Sequence, residues 1–230
     1  MSRRNKLLKF SELLTFKNVY ENFSYENPTL VGQNGLEEEL KGKWKTLHFK
    51  NDQPITLELA CGRGEYALQL ATNYPKRNFI GIDIKGARIW KGARYAMDQN
   101  LDNVAFLRTR IELIERFFAP NEIDEIWITF PDPFLKKGKD NRRLTAIPFL
   151  NRYKNILTKD GVIHLKTDSP ELYEFSMEKL STTDFVNIQY TNEDIYSGEL
   201  PIPELDYKTY YEKMHLEKGR KIRYIRFNFD

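Results

Sequence analysis

The sequence holds one cysteine, Cys61, in 230 residues. An internal disulfide is therefore excluded, and a reducing compartment suits the chain. Its three histidines, His48, His164 and His215, have none of the spacings that gather a metal ion, and no metal site is expected. No apolar run approaches the roughly 18 residues of a membrane span. The opening M-S-R-R-N-K-L-L-K-F is basic but lacks the apolar stretch of a secretory signal, so the expected location is the cytoplasm. A large charge excess is missing too. Lys and Arg number 36 against 33 Asp and Glu, a net +3, so any electrostatic function has to come from clustering. Repeats and low-complexity tracts are absent.

What remains is an ordinary globular composition, 40% hydrophobic and 30% charged, long enough for one substantial α/β domain. Residues 1–53 show no clean strand–helix alternation. A basic amino end (Arg3, Arg4, Lys6, Lys9) precedes Phe10, Phe16, Tyr20, Phe23 and Tyr25. An arm packed on a domain spanning 54–230 is expected, and RNA contacts through its charges and rings remain an alternative use. Leu36 to Leu40 reads as a short exposed helix.

From Pro54 strands and helices alternate. Strands are expected at Ile55–Ala60, Asn78–Ile84, Val104–Leu107, Asp124–Phe130, Val162–Lys166 and Phe185–Tyr190. Helices are expected at Tyr66–Tyr74, along the stripe Ile89, Trp90, Ala93, Met97 and Leu101, and at Ile111–Phe118, Pro148–Leu157 and Glu171–Leu180. Lys159–Gly161 reads as a turn and 192–207 as a loop. Lys208–Leu216 reads as a helix and Ile222–Phe229 as a last strand able to close the sheet edge antiparallel. Units of roughly 25 to 30 residues point to a mostly parallel, doubly wound sheet.

Two prolines carry more information than any other pair. In I-W-I-T-F-P-D-P-F-L-K-K, from Ile126 to Lys137, Pro131 and Pro133 cannot donate to a sheet ladder and must end the strand. They leave Asp132 and the Phe134 ring on a stiff turn at a strand's carboxyl end, where open α/β sheets bind ligands.

Two glycines mark the second feature. Gly62 and Gly64 in E-L-A-C-G-R-G (58–64) sit where a strand turns into a helix, and allow backbone to approach a ligand closely. Glu58 lies just inside the strand, where a carboxylate suits a ligand ammonium but crowds a pyrophosphate. Asp83 ends the next strand about 20 residues on, the place for a carboxylate that accepts from ribose hydroxyls. A ribose, an ammonium and no phosphate describe S-adenosylmethionine. The structural alternatives are a helix-capping Glu58 and a turn-forming Asp83. Cys61 is expected to pack or line the loop.

After Phe134 come Lys136, Lys137, Lys139, Arg142 and Arg143, with Asp140 the one acid among them. Such a run is either a solvated face or a set of phosphate contacts. Its position beside the presumed reacting turn favours RNA. Lys218, Arg220, Lys221, Arg223 and Arg226 repeat the choice at the carboxyl end, where alternation is expected to put the cations on one strand face, or charge protects an exposed edge. Asp168 ends the fifth strand at the same edge, as a cleft carboxylate or a helix N-cap.

These motifs in order (57–65, 79–84, 130–134, 136–145, 164–168 and T-Y-Y-E at 209–212) resemble the bacterial tRNA guanine-N7 methyltransferases, from about Lys6 to Phe227. The resemblance implies a Rossmann-like class I methyltransferase that methylates the variable-loop guanine 46 of tRNA. It implies that Glu58, Gly62, Asp83, Arg110 and Asp132 bind the donor, with Asp132 also catalytic, and that Lys136, Asp168, Thr209 and Glu212 bind tRNA. Four positions depart from the family pattern. Ala60 replaces a glycine. Arg110 replaces an acidic or amide residue near the adenine and cannot accept from the adenine amine, so Thr109 or backbone near Ile111 must serve. Tyr210 and Tyr211 replace a lysine and a phenylalanine. Methylation of an exocyclic RNA amine, a non-catalytic RNA-binding relative and a small-molecule methyltransferase are the competing functions. A monomer and a homodimer are equally open.

Overall fold

The computed structural model describes the backbone from Arg3 to Asp230 and the side chains from Leu7 onward, so the basic side chains expected at Arg3, Arg4 and Lys6 lie outside the described residues. The amino-terminal part gives α1 (Arg3–Leu13) and three very short strands, β1 (Val19–Glu21), β2 (Leu30–Val31) and β3 (Glu37–Glu38). Then follow β4 (Ile55–Leu59), α2 (Glu65–Asn73), β5 (Asn78–Asp83), α3 (Gly86–Asp98), β6 (Val104–Arg108) and β7 (Ile123–Thr129). The carboxyl-terminal part adds α4 (Ile147–Ile156), β8 (Leu157–Thr167), α5 (Pro170–Ser181), β9 (Val186–Asn192), α6 (Tyr210–Glu217) and β10 (Arg223–Phe229).

All ten strands join one sheet in the order β3-β2-β1-β6-β5-β4-β7-β8-β10-β9. The run from β1 to β8 is parallel, and β10 is antiparallel to both of its neighbours. This is the mostly parallel Rossmann-like sheet expected. β4 and β5 are buried at every position, as strands covered on both faces must be. One core packs Leu13, Leu68, Ile89 and Ala93, from α1, α2 and α3, against Phe106 and Trp127. The opposite core packs Trp44, Phe149, Tyr153 and Leu180 against Ile80, Ile126 and Ile163. The chain order reverses between β4 and β7, and a crevice opens there beyond the strands' carboxyl ends.

Several local expectations are corrected. Leu36–Leu40 is not a helix. Asn34 and Gly35, at φ 60° and 76°, turn the chain so that Leu30 pairs with Glu38. An Asn-Gly turn outweighs the weak helical preference of three glutamates. The short helix expected at Ile111–Phe118 is present as a 3-10 helix that ends at Arg116. The expected turn at 159–161 is a bulge inside β8, which pairs Leu157 with Ile123 and then resumes with Val162 against Glu125. β10 does not close the sheet; it runs inside, and β9 is the edge. Its cations do not share a face either. With a two-residue period, Arg223 and Arg226 point to opposite sides, and Arg226 Nε is buried.

Candidate active site

β7 ends at Thr129, but Phe130 N–H still donates to Lys166 O at 2.8 Å, so the P-D-P turn leaves directly from the sheet. Phe130 and Phe134 flank it at φ 49° and 44°. Two aromatic residues in the left-handed region cost roughly 1–2 kcal/mol each, a strain that persists only where the surroundings impose it. Arg143 imposes it. Its Nε donates to Pro133 O at 2.9 Å, its guanidinium lies 4.4 Å from the Phe175 ring centre, and Asp140 pairs with it at 3.2 Å. Arg143 is nine-tenths buried, so it is a clamp on the turn and not one of the phosphate contacts expected of the basic run. Asp132 Oδ1 accepts the Phe134 N–H at 3.0 Å, and Oδ2 has no protein partner among the described residues.

Asp132 lines a cleft of about 550 Å³ together with Asp83, Thr109, Arg110, Phe130 and Phe134. Asp83 is fixed from both sides. Oδ2 accepts Gly62 N–H and Oδ1 accepts Lys85 N–H, each at 2.8 Å. Each carboxylate oxygen keeps one further acceptor site. Arg110 reaches the cleft with its guanidinium 5.4 Å from the centre of the Tyr25 ring. Thr109 Oγ1 accepts from Asn22 Nδ2 at 3.1 Å, so the amino-terminal segment braces two lining residues from behind.

A second hollow of about 240 Å³ adjoins the first and shares Ala60, Arg88 and Phe130 with it. Glu58, Gly62, Thr129, Thr209 and Tyr211 line it. Gly62 is at φ 60°, and a Cβ built on it would meet nothing within 4 Å, whereas one on Gly64 would collide with the Phe106 ring. The first glycine leaves room for a ligand and the second allows close packing. Ala60, where the family has glycine, also takes φ 57°, so alanine bears the strain that glycine would avoid. Glu58 is buried. Oε2 accepts Ala67 N–H at 2.8 Å, so it does cap α2, and Oε1 accepts from Thr129 Oγ1 at 3.1 Å. Burial, opposed by these two bonds, pushes its carboxyl up to about 8. A cation in the hollow would draw that proton off, so an ammonium fits. Cys61 is buried and its thiol pushed well up by that burial, which marks it as packing. No group of three His, Cys, Asp or Glu side chains among the described residues is arranged to hold a metal ion.

Of the other expected residues, Thr209 lines the inner hollow, while Lys136, Asp168 and Glu212 stand apart from both. Lys136 is exposed on the loop beyond the turn. Asp168 does not cap α5; Ser169 does, its Oγ accepting Leu172 N–H at 3.1 Å. Asp168 instead pairs with Arg220 at 2.5 Å, with His215 Nδ1 at 3.3 Å. Thr209 caps α6 by accepting Glu212 N–H at 3.2 Å. Glu212 is fully buried, 2.7 Å from the equally buried Lys166, and accepts from the Tyr196 hydroxyl at 2.6 Å. Lys166 Nζ also donates to Leu205 O and Tyr207 O. Sequence reasoning missed Arg143 as a clamp and Arg88 at the junction of the hollows. The R-R-L-T motif was the signal for the first, and Arg88 had none.

Residues 52–225 match a family described as a putative methyltransferase. The chain is 50% identical over 228 residues to the tRNA (guanine-N(7)-)-methyltransferase of Christiangramia forsetii, covering 99% of each. It is 43% identical over 224 residues to the protein of the same name from Bacteroides fragilis, covering 97% of this chain and 85% of that one. Among solved structures, the 16S rRNA methyltransferase KamB gives a TM-score of 0.59 at 14% identity, over 86% of this chain and 97% of that one. That likeness shows the fold alone. With relatives this similar along its whole length, the chain belongs to the tRNA (guanine-N7)-methyltransferase family.

Proposed function

We propose that the protein transfers a methyl group from S-adenosylmethionine to N7 of a guanine in tRNA, position 46 of the variable loop, in the cytoplasm. The observation that carries this is Asp132: a carboxylate with one unpartnered oxygen, on a strained and clamped turn, opening into the cleft that Asp83 also lines. Glu58 would hold the donor's ammonium, Asp83 its ribose, and Thr109 and Arg110 the adenine end. Bound there, the donor supplies an electrophilic methyl group.

Guanine N7 offers a lone pair and no proton, so no general base is required. The chain's task is placement and charge. Asp132 accepts from the guanine N1–H and amino group, fixes the ring in line with the methyl, and offsets the positive charge that the base acquires. Lys136, exposed beside the turn, takes an RNA phosphate. Asp168 contributes by holding Arg220 at the same carboxyl edge of the sheet. Thr209 walls the inner hollow, and Glu212 acts from the interior by fixing the helix that Thr209 begins.

The test is incubation with labelled donor and a tRNA transcript, followed by borohydride–aniline cleavage. Cleavage at the variable-loop guanine is expected; label incorporated without cleavage would mean an exocyclic amine. Asp132→Ala should lower turnover by about 100-fold or more, roughly 3 kcal/mol of transition-state stabilisation. Near-normal turnover in that variant would remove Asp132 from the mechanism.

A further inference from the structure

The exposed side of α3 carries Lys85, Arg88 and Lys91 at three-residue intervals, which stacks them along one helix face. No described carboxylate lies within ion-pair distance of any of the three. Arg94 continues the row and pairs with Asp98 at 3.2 Å. The row starts at the reaction cleft. Arg88 lines both the cleft and the inner hollow, and Lys91 lines both the inner hollow and a further groove of about 270 Å³ between α2 and α3. That groove is walled by Arg63, Glu65, Gln69, Thr72 and Tyr95, with Glu65 pairing Arg63 at 3.7 Å.

Two more features belong to this surface. Lys9 also lies here, its ammonium 4.3 Å from the centre of the Trp90 ring, and burial together with the nearby charges of Lys91 and Arg63 holds it below the usual lysine range. Lys9, Arg63, Lys85, Arg88 and Lys91 outnumber the acids among them, Glu12 beside Lys9 and Glu65 beside Arg63, and the balance favours an anion. Exposed rings stand among them: Tyr95 on α3, and Tyr210, with the Arg63 guanidinium 6.0 Å from its ring centre. Charges that track a backbone, interleaved with rings on which bases stack, are the features of a single-strand nucleic-acid track. From Lys85 to Tyr95 the helix rises about 15 Å, the length of roughly four phosphates of one helical strand.

We propose that this face of α3, with Arg63 and Tyr95, carries the sugar-phosphate backbone of the tRNA strand that flanks the target guanine. The substrate is thereby held from two sides, by the 136–142 loop across the turn and by α3 across the inner hollow. This proposal rests on tRNA being the substrate, as set out above.

The test uses the full chain with Lys91→Gln and Tyr95→Ala combined, against Lys159→Gln on the exposed bulge of β8 at the opposite end of the sheet. The α3 variant is expected to raise KM for tRNA about ten-fold or more and to leave kcat near wild type when tRNA and donor are both saturating. Its tRNA affinity should also depend less steeply on salt, by roughly one unit of log–log slope for the lysine removed. The control should match wild type in every respect. If the α3 variant keeps the wild-type KM and salt slope while wild type methylates tRNA at N7, the track is wrong and the function stands. An equal loss in the Lys159 control would also overturn it, because net charge rather than this face would then be responsible. If wild type binds no tRNA, the functional reading itself falls, and the track with it.

Discussion

Glu58 shows how one residue's burial becomes a measurable proton. Its folded-state value of about 8 lies above the ordinary carboxylate value of 4.5, with burial as the main cause. The folded, ligand-free protein therefore binds a proton that the unfolded chain releases between these values. The stabilisation linked to that proton is fully present below about pH 4.5 and is lost as pH rises through about 8. The melting temperature of ligand-free protein is expected to fall between pH 5 and 8 more steeply in wild type than in Glu58→Gln. An ammonium in the hollow reverses the preference, so donor binding near pH 7 should expel up to about one proton. Calorimetry in two buffers of different ionisation enthalpy counts it. Equal buffer dependence in wild type and Glu58→Gln would mean that Glu58 does not face the charge. The position of Glu58 was legible in the sequence because the strand, the glycine turn and the carboxylate are all local. Its protonation was not, because that depends on Thr129 from a neighbouring strand and on a roof supplied by Thr209 and Tyr211.

At the scale of the element, α6 is held by groups that the sequence separates widely. Lys166 ends up beside Glu212 because β10 lies next to β8 and draws the preceding helix over the sheet's carboxyl edge. Burial holds the Lys166 ammonium below its usual range, against the pull of Glu212. Removing one partner of such a pair leaves an uncompensated buried charge. Glu212→Ala should therefore cost about 3–5 kcal/mol in urea denaturation, whereas an apolar pair, Lys166→Met with Glu212→Leu, should recover most of it. If Glu212 works only by placing α6, the double variant also regains turnover on tRNA. Restored stability with turnover still lost would mean direct contact between Glu212 and the RNA. Motif resemblance placed Glu212 among substrate residues and could not reveal its burial, since burial there depends on Lys166, Tyr196 and Leu205 converging in space. The strands with long, strong patterns (β4, β5, β7) were legible for the opposite reason: each carries its own apolar run and its own stop signal.

At the scale of the whole molecule, the first 53 residues complete the sheet. β1, β2 and β3 are too short to carry a readable alternation, yet β1 pairs parallel with β6, Val19 opposite Phe106, and covers what would be an open edge. Leu13, Phe16 and Val19 fill one core; Tyr20, Leu40, Trp44 and Phe49 fill the other. Trp44 Nε1 donates to Phe117 O at 2.8 Å, and the buried Glu122 carboxylate accepts the N–H groups of Gly42, Trp44 and Ala119. A fragment beginning at Pro54 would bare the β6 edge, open both cores and take two of three donors from Glu122. Unpaired strand edges and exposed apolar surface favour association over folding. The family match begins at residue 52, so the matched span and the folding unit differ. Residues 54–230 expressed alone are expected to be insoluble, or to lack a cooperative melt and near-ultraviolet dichroism, and adding residues 1–53 as a separate peptide should not restore donor binding at micromolar concentrations. A soluble fragment that melts cooperatively and binds the donor as the full chain does would make those residues a dispensable arm. The contacts of Asn22 with Thr109 and of Tyr25 with Arg110 argue against that outcome, because the fragment would lose the support behind two cleft residues together with one edge of the sheet.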